Sequence, residues 1–152
     1  MNSIRAVFTV VGKGEMIDGM AMDSAWVRRW FDDYLDVFAA ATRGERPMAE
    51  LLDRYAVPLL LTTDEGAITL STRDELAAVI QGQVDGLRAQ RYRSTALVSA
   101  EVTELNGTSA CYRGAFVRHD VDGAELGRVA VTYLLVDGAA GAQIAVLASH
   151  GD

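Results

Sequence analysis

Residues 92–150 decide the fold, and they read YRSTALVSAEVTELNGTSACYRGAFVRHDVDGAELGRVAVTYLLVDGAAGAQIAVLASH. The side chains in this stretch alternate with a period of two, which is typical of β-strands. The dipeptides Asn106-Gly107 and Asp122-Gly123 interrupt the alternation, and both can supply the positive φ angles that tight hairpin turns require. The stretch therefore predicts four long β-strands, the last of them over residues 143–149.

The third of these strands, over residues 129–136, is apolar on both faces. A strand with this pattern is covered on both sides in the folded protein. The helices that precede the sheet can cover one face, but no helix remains for the other. The sequence therefore predicts a symmetric homodimer in which the outer faces of two sheets pack together.

An aromatic helix is predicted ahead of the sheet. Asp23 or Ser24 can cap it, and Trp26, Trp30 and Tyr34 follow at helical spacing. The amphipathic pattern ends near Gly44. The two tryptophans are interpreted either as one wall of an apolar pocket or as plain core.

Two further helices and a strand pair complete the predicted domain. A short helix is predicted over residues 47–55, followed by strands over residues 57–63 and 67–70. Residues 72–75 read TRDE and match a capping box, in which a hydroxyl and a carboxylate bond the free N–H groups at a helix start. The third helix is predicted to run from this box to about residue 87.

The composition limits the classes of function. The 152 residues are half hydrophobic, and 14 basic against 21 acidic side chains give a net charge of −7. An acidic chain without a Lys/Arg cluster does not suit nucleic acid or an anionic membrane, because both need concentrated positive charge. No run of about 18 apolar residues predicts a membrane span. The single Cys111 is compatible with a reducing cytoplasm, where we expect the protein to act.

Residues 1–22 are expected to stand apart from the predicted domain of residues 23–152. The apolar run over residues 6–12 is too short for a secretory signal, and four of the five methionines lie in this first segment. We expect a loosely attached leader. An extra strand over residues 4–11 is the alternative.

The order of the predicted elements resembles the nuclear transport factor 2-like superfamily. Short sequence stretches are similar as well. Residues 30–34 read WFDDY, residues 43–45 read RGE, and residues 51–55 precede the turn and the capping box. Ketosteroid isomerase, scytalone dehydratase and SnoaL-like polyketide cyclases share this fold. The resemblance covers residues 24–150 and implies an α+β fold: a cone-shaped curved antiparallel sheet wrapped around three N-terminal helices, or cystatin-like α+β barrel.

The resemblance also implies which side chains face the interior of the cone. In the layout of this superfamily, Val146, Ala148 and His150 share the inward face of the last strand. His150 is the candidate acid or base, because an imidazole titrates near neutral pH, and a solvated histidine is the alternative. Tyr34 and Tyr112 are the candidate hydrogen-bond donors, with plain core tyrosines as the alternative.

Six residues are predicted to line the ligand site, namely Trp26, Trp30, Tyr55, Thr132, Leu134 and Val146. Ketosteroid isomerase-like enzymes use a protonated aspartate as a donor on a late strand, and matching the Asp137-Gly138 turn to the turn of that family places this donor near Thr132. The stretch that matches their carboxylate base is residues 61–63, which read LTT. Asp64 follows directly and is interpreted as part of a turn. The set of catalytic residues that ketosteroid isomerase-like enzymes use is therefore largely absent from this sequence.

We interpret the protein as a binder of a small, largely apolar molecule inside the cone. If it is an enzyme, we expect proton-transfer chemistry of the SnoaL-like cyclase, isomerase or dehydratase type without a cofactor. No metal is expected, since His119 and Asp120 offer too few converging ligands. The alternative is a non-catalytic dimerisation or ligand-sensing module. The missing carboxylate pair favours this alternative, whereas the polar-tipped aromatic side chains favour the first interpretation.

Overall fold

The computed structural model describes residues 22–151, which form three helices and one six-stranded sheet. In chain order they are α1 (Ser24–Thr42), α2 (Met48–Leu52), β1 (Tyr55–Thr63), β2 (Gly66–Leu70), α3 (Arg73–Ala89), β3 (Tyr92–Asn106), β4 (Ser109–Asp120), β5 (Glu125–Gly138) and β6 (Gly141–His150). The predicted α+β class is confirmed. None of the helices in this part of the chain is both long and apolar enough to cross a membrane.

The sheet is curved and open, with its strands in the order β2-β1-β6-β5-β4-β3. Strands β3 to β6 form the antiparallel meander predicted from residues 92–150. Strand β1 pairs with β2 in antiparallel fashion and with β6 in parallel fashion. The predicted curved sheet is therefore antiparallel except at this one junction. A parallel pair needs a long crossover, and here α3 and the meander provide it.

Helix α1 carries the apolar face that covers the sheet. The side chain of Asp23 accepts a hydrogen bond from the backbone N–H of Trp26 at 2.8 Å, so Asp23 is the cap. The helix packs chiefly against β3 and buries Val27, Phe31 and Tyr34. Both tryptophans of α1 are only half-buried. The predicted aromatic stripe is confirmed, with its centre at Phe31 and Tyr34.

Helix α3 begins at the predicted capping box. Thr72 Oγ1 accepts a hydrogen bond from Glu75 N at 3.1 Å, and Glu75 Oε1 accepts one from Thr72 N at 3.1 Å. At the other end of the helix, Arg88 Nε donates to the carbonyl oxygen of Thr42 at 2.8 Å. This bond places a cation at the C-terminal end of α1, where the helix dipole favours positive charge. It also ties the two long helices together.

The two predicted reversals in the meander occur where they were expected, but only one has the expected backbone. Gly123 adopts a φ of 85°, in the left-handed region, whereas Gly107 does not. At the first turn Asn106 Oδ1 accepts hydrogen bonds from Thr108 N at 2.9 Å and Ser109 Oγ at 3.0 Å. This side chain stabilises the reversal through its own hydrogen bonds, without a left-handed residue.

The last strand carries a β-bulge. Leu135 of β5 pairs with Ile144, but the preceding residue Leu134 pairs with Val146. Ala145 is therefore an extra residue on β6. A single extra residue moves every later side chain of a strand to the opposite face of the sheet.

This bulge overturns the prediction for the end of the chain. Leu147 and Ser149 lie on the inner face of the sheet, beneath the helices. Val146, Ala148 and His150 consequently lie on the outer face, so the prediction that they point into the cone is wrong.

The predicted leader or extra strand of residues 1–22 lies outside the described residues, except for Met22. The side chain of Met22 is buried in the core.

Candidate functional site

A cavity of about 350 Å³ lies between the helices and the inner face of the sheet. Most of its wall is apolar, and its most buried apolar side chains are those of Phe38, Leu59, Leu70, Ile80 and Phe116. Small-molecule sites have volumes of about 300–1,000 Å³, and an apolar cavity of about 150 Å³ is enough to hold benzene. The cavity therefore has room for a small organic molecule.

Six polar side chains interrupt the apolar wall, namely Tyr34, Gln83, Thr95, Arg118, Tyr133 and Ser149. Gln83 and Ser149 are exposed, whereas Tyr34 and Tyr133 are buried. Arg118 is half-buried, and it is the one charged side chain among the described residues of the wall. The polarity of the cavity is thus concentrated at a few defined points.

A cluster of three tyrosines forms the buried polar part of the site. The hydroxyl oxygens of Tyr34 on α1 and Tyr55 on β1 lie 2.5 Å apart, within hydrogen-bonding distance. The ring of Tyr133 on β5 meets the ring of Tyr34 edge to face, with 5.8 Å between the ring centres. Tyr34 and Tyr133 line the cavity, whereas Tyr55 contacts Tyr34 and does not line the cavity itself.

The hydroxyls of this cluster remain protonated at neutral pH. Burial raises the pKa of Tyr34, Tyr55 and Tyr133 above the usual value for tyrosine, and for each of them a neighbouring tyrosine adds to the rise. The positive charge of Arg118 acts in the opposite direction on all three pKa values, but more weakly than burial. The cluster can therefore donate hydrogen bonds to a ligand oxygen, and it is not suited to act as a base.

Arg118 contributes an isolated cation to the wall. Its Nε atom is buried and has no hydrogen-bond partner within residues 22–151, where Arg118 also makes no ion pair. The guanidinium carbon lies 5.7 Å from the centre of the Phe38 ring. A cation–π contact of this kind is favourable, but it leaves the N–H donors of the guanidinium free.

Arg118 is the site residue that the sequence analysis missed. The inward alternation of β4 runs through Tyr112, Gly114 and Phe116, and it continues to Arg118 because the strand extends to Asp120. Extending the alternation of β4 by two residues beyond Phe116, even though the next inward residue is charged, would have identified Arg118.

Gly114 shapes the cavity through the ring that lies over it. A Cβ atom at this position would lie 3.0 Å from Tyr112 Cε1 and closer still to Cζ of Phe116. The Phe116 ring, which forms part of the cavity wall, therefore occupies the space that any larger residue would need. This is a position where a close approach of side chains requires glycine.

Three of the predicted site residues lie at or next to the cavity. Tyr34 lines it, and Tyr55 lies within hydrogen-bonding distance of Tyr34. Trp30 stacks on Tyr34 at 5.9 Å between ring centres, with 11° between the ring planes, but it does not reach the cavity. Trp26 is half-buried near the start of α1 and does not line the cavity either.

Tyr112 lies in the core, outside the cavity wall. Its ring stacks on Phe31 with 4.0 Å between the ring centres. Its hydroxyl is buried and has no hydrogen-bond partner within the described residues. Burial, followed by the negative charge of Asp32, raises the pKa of Tyr112 to about 12. The predicted donor role therefore does not fit the position of this side chain.

His150 and the predicted ligand-binding residues of β5 and β6 lie on the outer face of the sheet. His150 Nε2 is 2.7 Å from Thr132 Oγ1, and Leu134 pairs with Val146 on the same face. The bulge in β6 turns Val146 and His150 outward. Thr132 and Leu134 face outward because they alternate with the buried residues of β5. The three predicted catalytic side chains, those of His150, Tyr34 and Tyr112, therefore do not converge.

The remaining polar candidates do not add a site. Asp64 is exposed in the turn between β1 and β2, as predicted. Within residues 22–151, no group of three or more His, Cys, Asp or Glu side chains is placed to hold a metal ion.

Three helices over the inner face of a curved, open six-stranded sheet, with a cavity between the two layers, define the cystatin-like class of α+β folds. Residues 23–152 match the family described as NTF2-like protein (DUF6841), and the chain belongs to this family. The resemblance inferred from the sequence is therefore confirmed.

Solved structures share this fold at low sequence identity. A protein of unknown function with a cystatin-like fold from Nostoc punctiforme is 12% identical, with a TM-score of 0.66 over 88% of this chain and 96% of that chain. An NTF2-like protein from Novosphingobium aromaticivorans is 18% identical, with a TM-score of 0.60 over 98% and 87%. An NTF2-like protein from Shewanella oneidensis is 14% identical, with a TM-score of 0.60 over 80% and 96%. None of the curated proteins matches this chain.

Proposed function

We propose that the protein binds a small, largely apolar molecule in the cavity between the helices and the sheet. The observation that carries this proposal is the cavity itself, with its volume of about 350 Å³, its mostly apolar wall and its few polar side chains. This combination is typical of small-molecule sites, in which apolar surface supplies affinity and a few polar groups fix orientation.

The tyrosine cluster supports a role in orienting the ligand. Tyr34 and Tyr133 are protonated donors at one part of the wall, and a carbonyl or ether oxygen is the matching acceptor. A cavity that excludes water strengthens such a hydrogen bond.

The arrangement of side chains favours binding over proton-transfer catalysis. His150 faces away from the cavity, and no carboxylate or histidine is among the described residues of its wall. A proton transfer would therefore need a tyrosine whose pKa burial has raised, which disfavours a base at neutral pH. A ligand-sensing or carrier role is the proposal that this chemistry supports best.

A thermal-shift screen with hydrophobic metabolites tests the proposal. A ligand at 100 times its dissociation constant should stabilise the protein by about 2.7 kcal/mol. The variant Val129→Phe should abolish the shift, because Val129 lines the cavity. The matched variant Val98→Phe, at a side chain that is 57% exposed, should keep it. A shift that survives Val129→Phe unchanged would show that the ligand binds elsewhere.

A second proposal concerns the outer face of the sheet, which we infer to be a homodimer interface. Leu60, Leu134 and Val146 are adjacent apolar residues on three neighbouring strands of this face. Leu60 is 38% exposed, which is high for a leucine within a sheet. Leu134→Glu should convert a dimer to a monomer in sedimentation analysis, whereas Ile68→Glu, at an exposed residue of the edge strand β2, should not. A wild-type monomer at high concentration would refute this proposal.

A further inference from the structure

Arg118 is the feature that the binding of an apolar molecule leaves unexplained. It lies on the inner face of β4 and lines the cavity, where every other described residue of the wall is uncharged. Its cross-strand neighbour on β3 is Thr95, which also lines the cavity. An apolar cavity can be packed without a charged residue at this position. The presence of Arg118 in the wall therefore needs an explanation other than packing.

Arg118 differs from the other arginines of residues 22–151 because it is neither ion-paired nor exposed. Six of them form ion pairs with carboxylates, namely Arg43, Arg46, Arg54, Arg73, Arg91 and Arg128. Arg118 forms none within the described residues, and its buried Nε atom has no hydrogen-bond partner there. The remaining arginines without an ion pair in this part of the chain are all exposed, namely Arg28, Arg29, Arg88, Arg93 and Arg113. Arg118 is therefore the unpaired cation that lies in the cavity wall.

The free-energy cost of withdrawing this cation from water indicates that its partner is a group outside the described residues. Removing a charge from water is costly unless it is paired and hydrogen-bonded. The ring of Phe38 offers only partial compensation at 5.7 Å. A planar guanidinium with free N–H donors matches the two oxygens of a carboxylate, or the oxygens of another oxyanion, in a bidentate geometry.

We propose that the natural ligand is an organic anion, whose apolar body fills the cavity and whose oxyanion group binds Arg118. The inference rests on the proposed binding function and specifies its ligand class. A net charge of −7 repels anions in general, so the preference for an anion over a neutral molecule must come from Arg118 itself. The tyrosine cluster remains available for a second oxygen on the same molecule.

Isothermal titration calorimetry on the full chain can test this inference with three probes of nearly the same size: 2-naphthoate, its uncharged amide 2-naphthamide, and 2-naphthalenesulfonate. We expect wild-type protein to bind naphthoate about ten-fold or more tightly than naphthamide, because a charge-assisted hydrogen bond is lost in the amide. Sulfonate binding as tight as that of naphthoate supports oxyanions as a class, and weaker sulfonate binding narrows the class to carboxylates.

Two substitutions on one strand provide the matched comparison. Arg118→Gln should remove the preference for naphthoate over naphthamide while keeping the binding of the amide. Arg113→Gln should leave both affinities unchanged, because Arg113 is exposed and lies on the opposite face of β4. The comparison of acid with amide in wild-type protein stands even if Arg118→Gln does not fold.

The outcomes separate this inference from the proposed function. Equal affinity of wild-type protein for naphthoate and naphthamide overturns the anion inference and leaves the cavity as an apolar binding site. Loss of naphthoate preference in Arg113→Gln but not in Arg118→Gln also overturns it. Failure of all three probes and of the hydrophobic screen overturns both proposals.

Discussion

The guanidinium carbon of Arg118 lies 5.7 Å from the centre of the Phe38 ring, in a cavity wall whose described residues include no acidic side chain. The contact joins α1 to β4 across the cavity. Without a ligand, the positive charge has only this aromatic face as a partner among residues 22–151. A charge held in this way lowers the stability of the ligand-free protein, because its removal from water is only partly compensated.

The first prediction is that Arg118→Met stabilises the ligand-free protein. An apolar side chain of similar length removes a charge that is partly withdrawn from water without an ionic partner, and burying an unpaired charge is costly. We expect an increase of about 1 kcal/mol, because the side chain is only half-buried. Urea unfolding measures the change, with Arg113→Met as the exposed control that should stay within about 0.5 kcal/mol of wild type. A loss of stability in Arg118→Met would mean that the arginine already has a partner.

The second prediction concerns the coupling between Tyr34 and Tyr55. Their hydroxyls are buried and within hydrogen-bonding distance, so Tyr34→Phe leaves the Tyr55 hydroxyl without this partner. Each single Tyr→Phe change should cost about 1–3 kcal/mol, whereas the double variant should cost less than their sum. A double-mutant cycle by denaturant unfolding gives the coupling energy. Strict additivity would show that the two hydroxyls do not interact.

The third prediction is a delayed ionisation of tyrosine. All five tyrosines have a raised pKa caused first by burial, namely Tyr34, Tyr55, Tyr92, Tyr112 and Tyr133. Tyrosines of the unfolded chain ionise near pH 10. Because the folded pKa values are higher, their contribution to stability is complete below about pH 10 and is lost as pH rises through the folded values.

Ultraviolet absorbance of tyrosinate and circular dichroism, followed together, measure this effect. Little tyrosinate should form around pH 10 while the protein is folded, and its appearance at higher pH should accompany unfolding. Several tyrosines titrating near pH 10 in a protein with an intact dichroism spectrum would contradict the buried cluster.

The fourth prediction is that Gly114→Ala disturbs the cavity. The added Cβ would meet the rings of Phe116 and Tyr112, so the Phe116 ring must move. Overpacking of this kind costs about 1–3 kcal/mol, and ligand affinity should fall with it. Gly127→Ala on the neighbouring strand is the matched control, because no atom lies within 4 Å of its added Cβ. Equal stability of the two variants would show that the Phe116 ring is free to relocate.

Local sequence patterns predicted most of the fold. Alternation over residues 92–150 predicted the four-stranded meander, and the Thr72–Glu75 box predicted the start of α3. These signals are local, since they depend on the period of the side chains and on hydrogen bonds within one turn. The parallel pairing of β1 with β6 joins segments far apart in the chain, and no local pattern marks it.

The candidate site was predicted less completely, for two physical reasons. The bulge at Ala145 reverses the face of His150, and nothing in the residues 141–150 marks an extra residue. Arg118 lies on the inner face of β4, two residues after Phe116, as the alternation of the strand requires. Because inward positions were identified by their apolar side chains, the charged Arg118 was not recognised as one of them. Tyr34 lies on the buried face of α1, and helical spacing alone is enough to predict that face.

Methyl chemical-shift mapping of the protein with 2-naphthoate locates the bound molecule most directly. Binding in the cavity should shift the methyl resonances of Leu59, Ile80 and Val131, which line it, and leave those of Leu134 and Val146 on the outer face in place. Shifts confined to the outer-face methyl groups, with the cavity methyl groups unchanged, would contradict a binding site between the helices and the sheet.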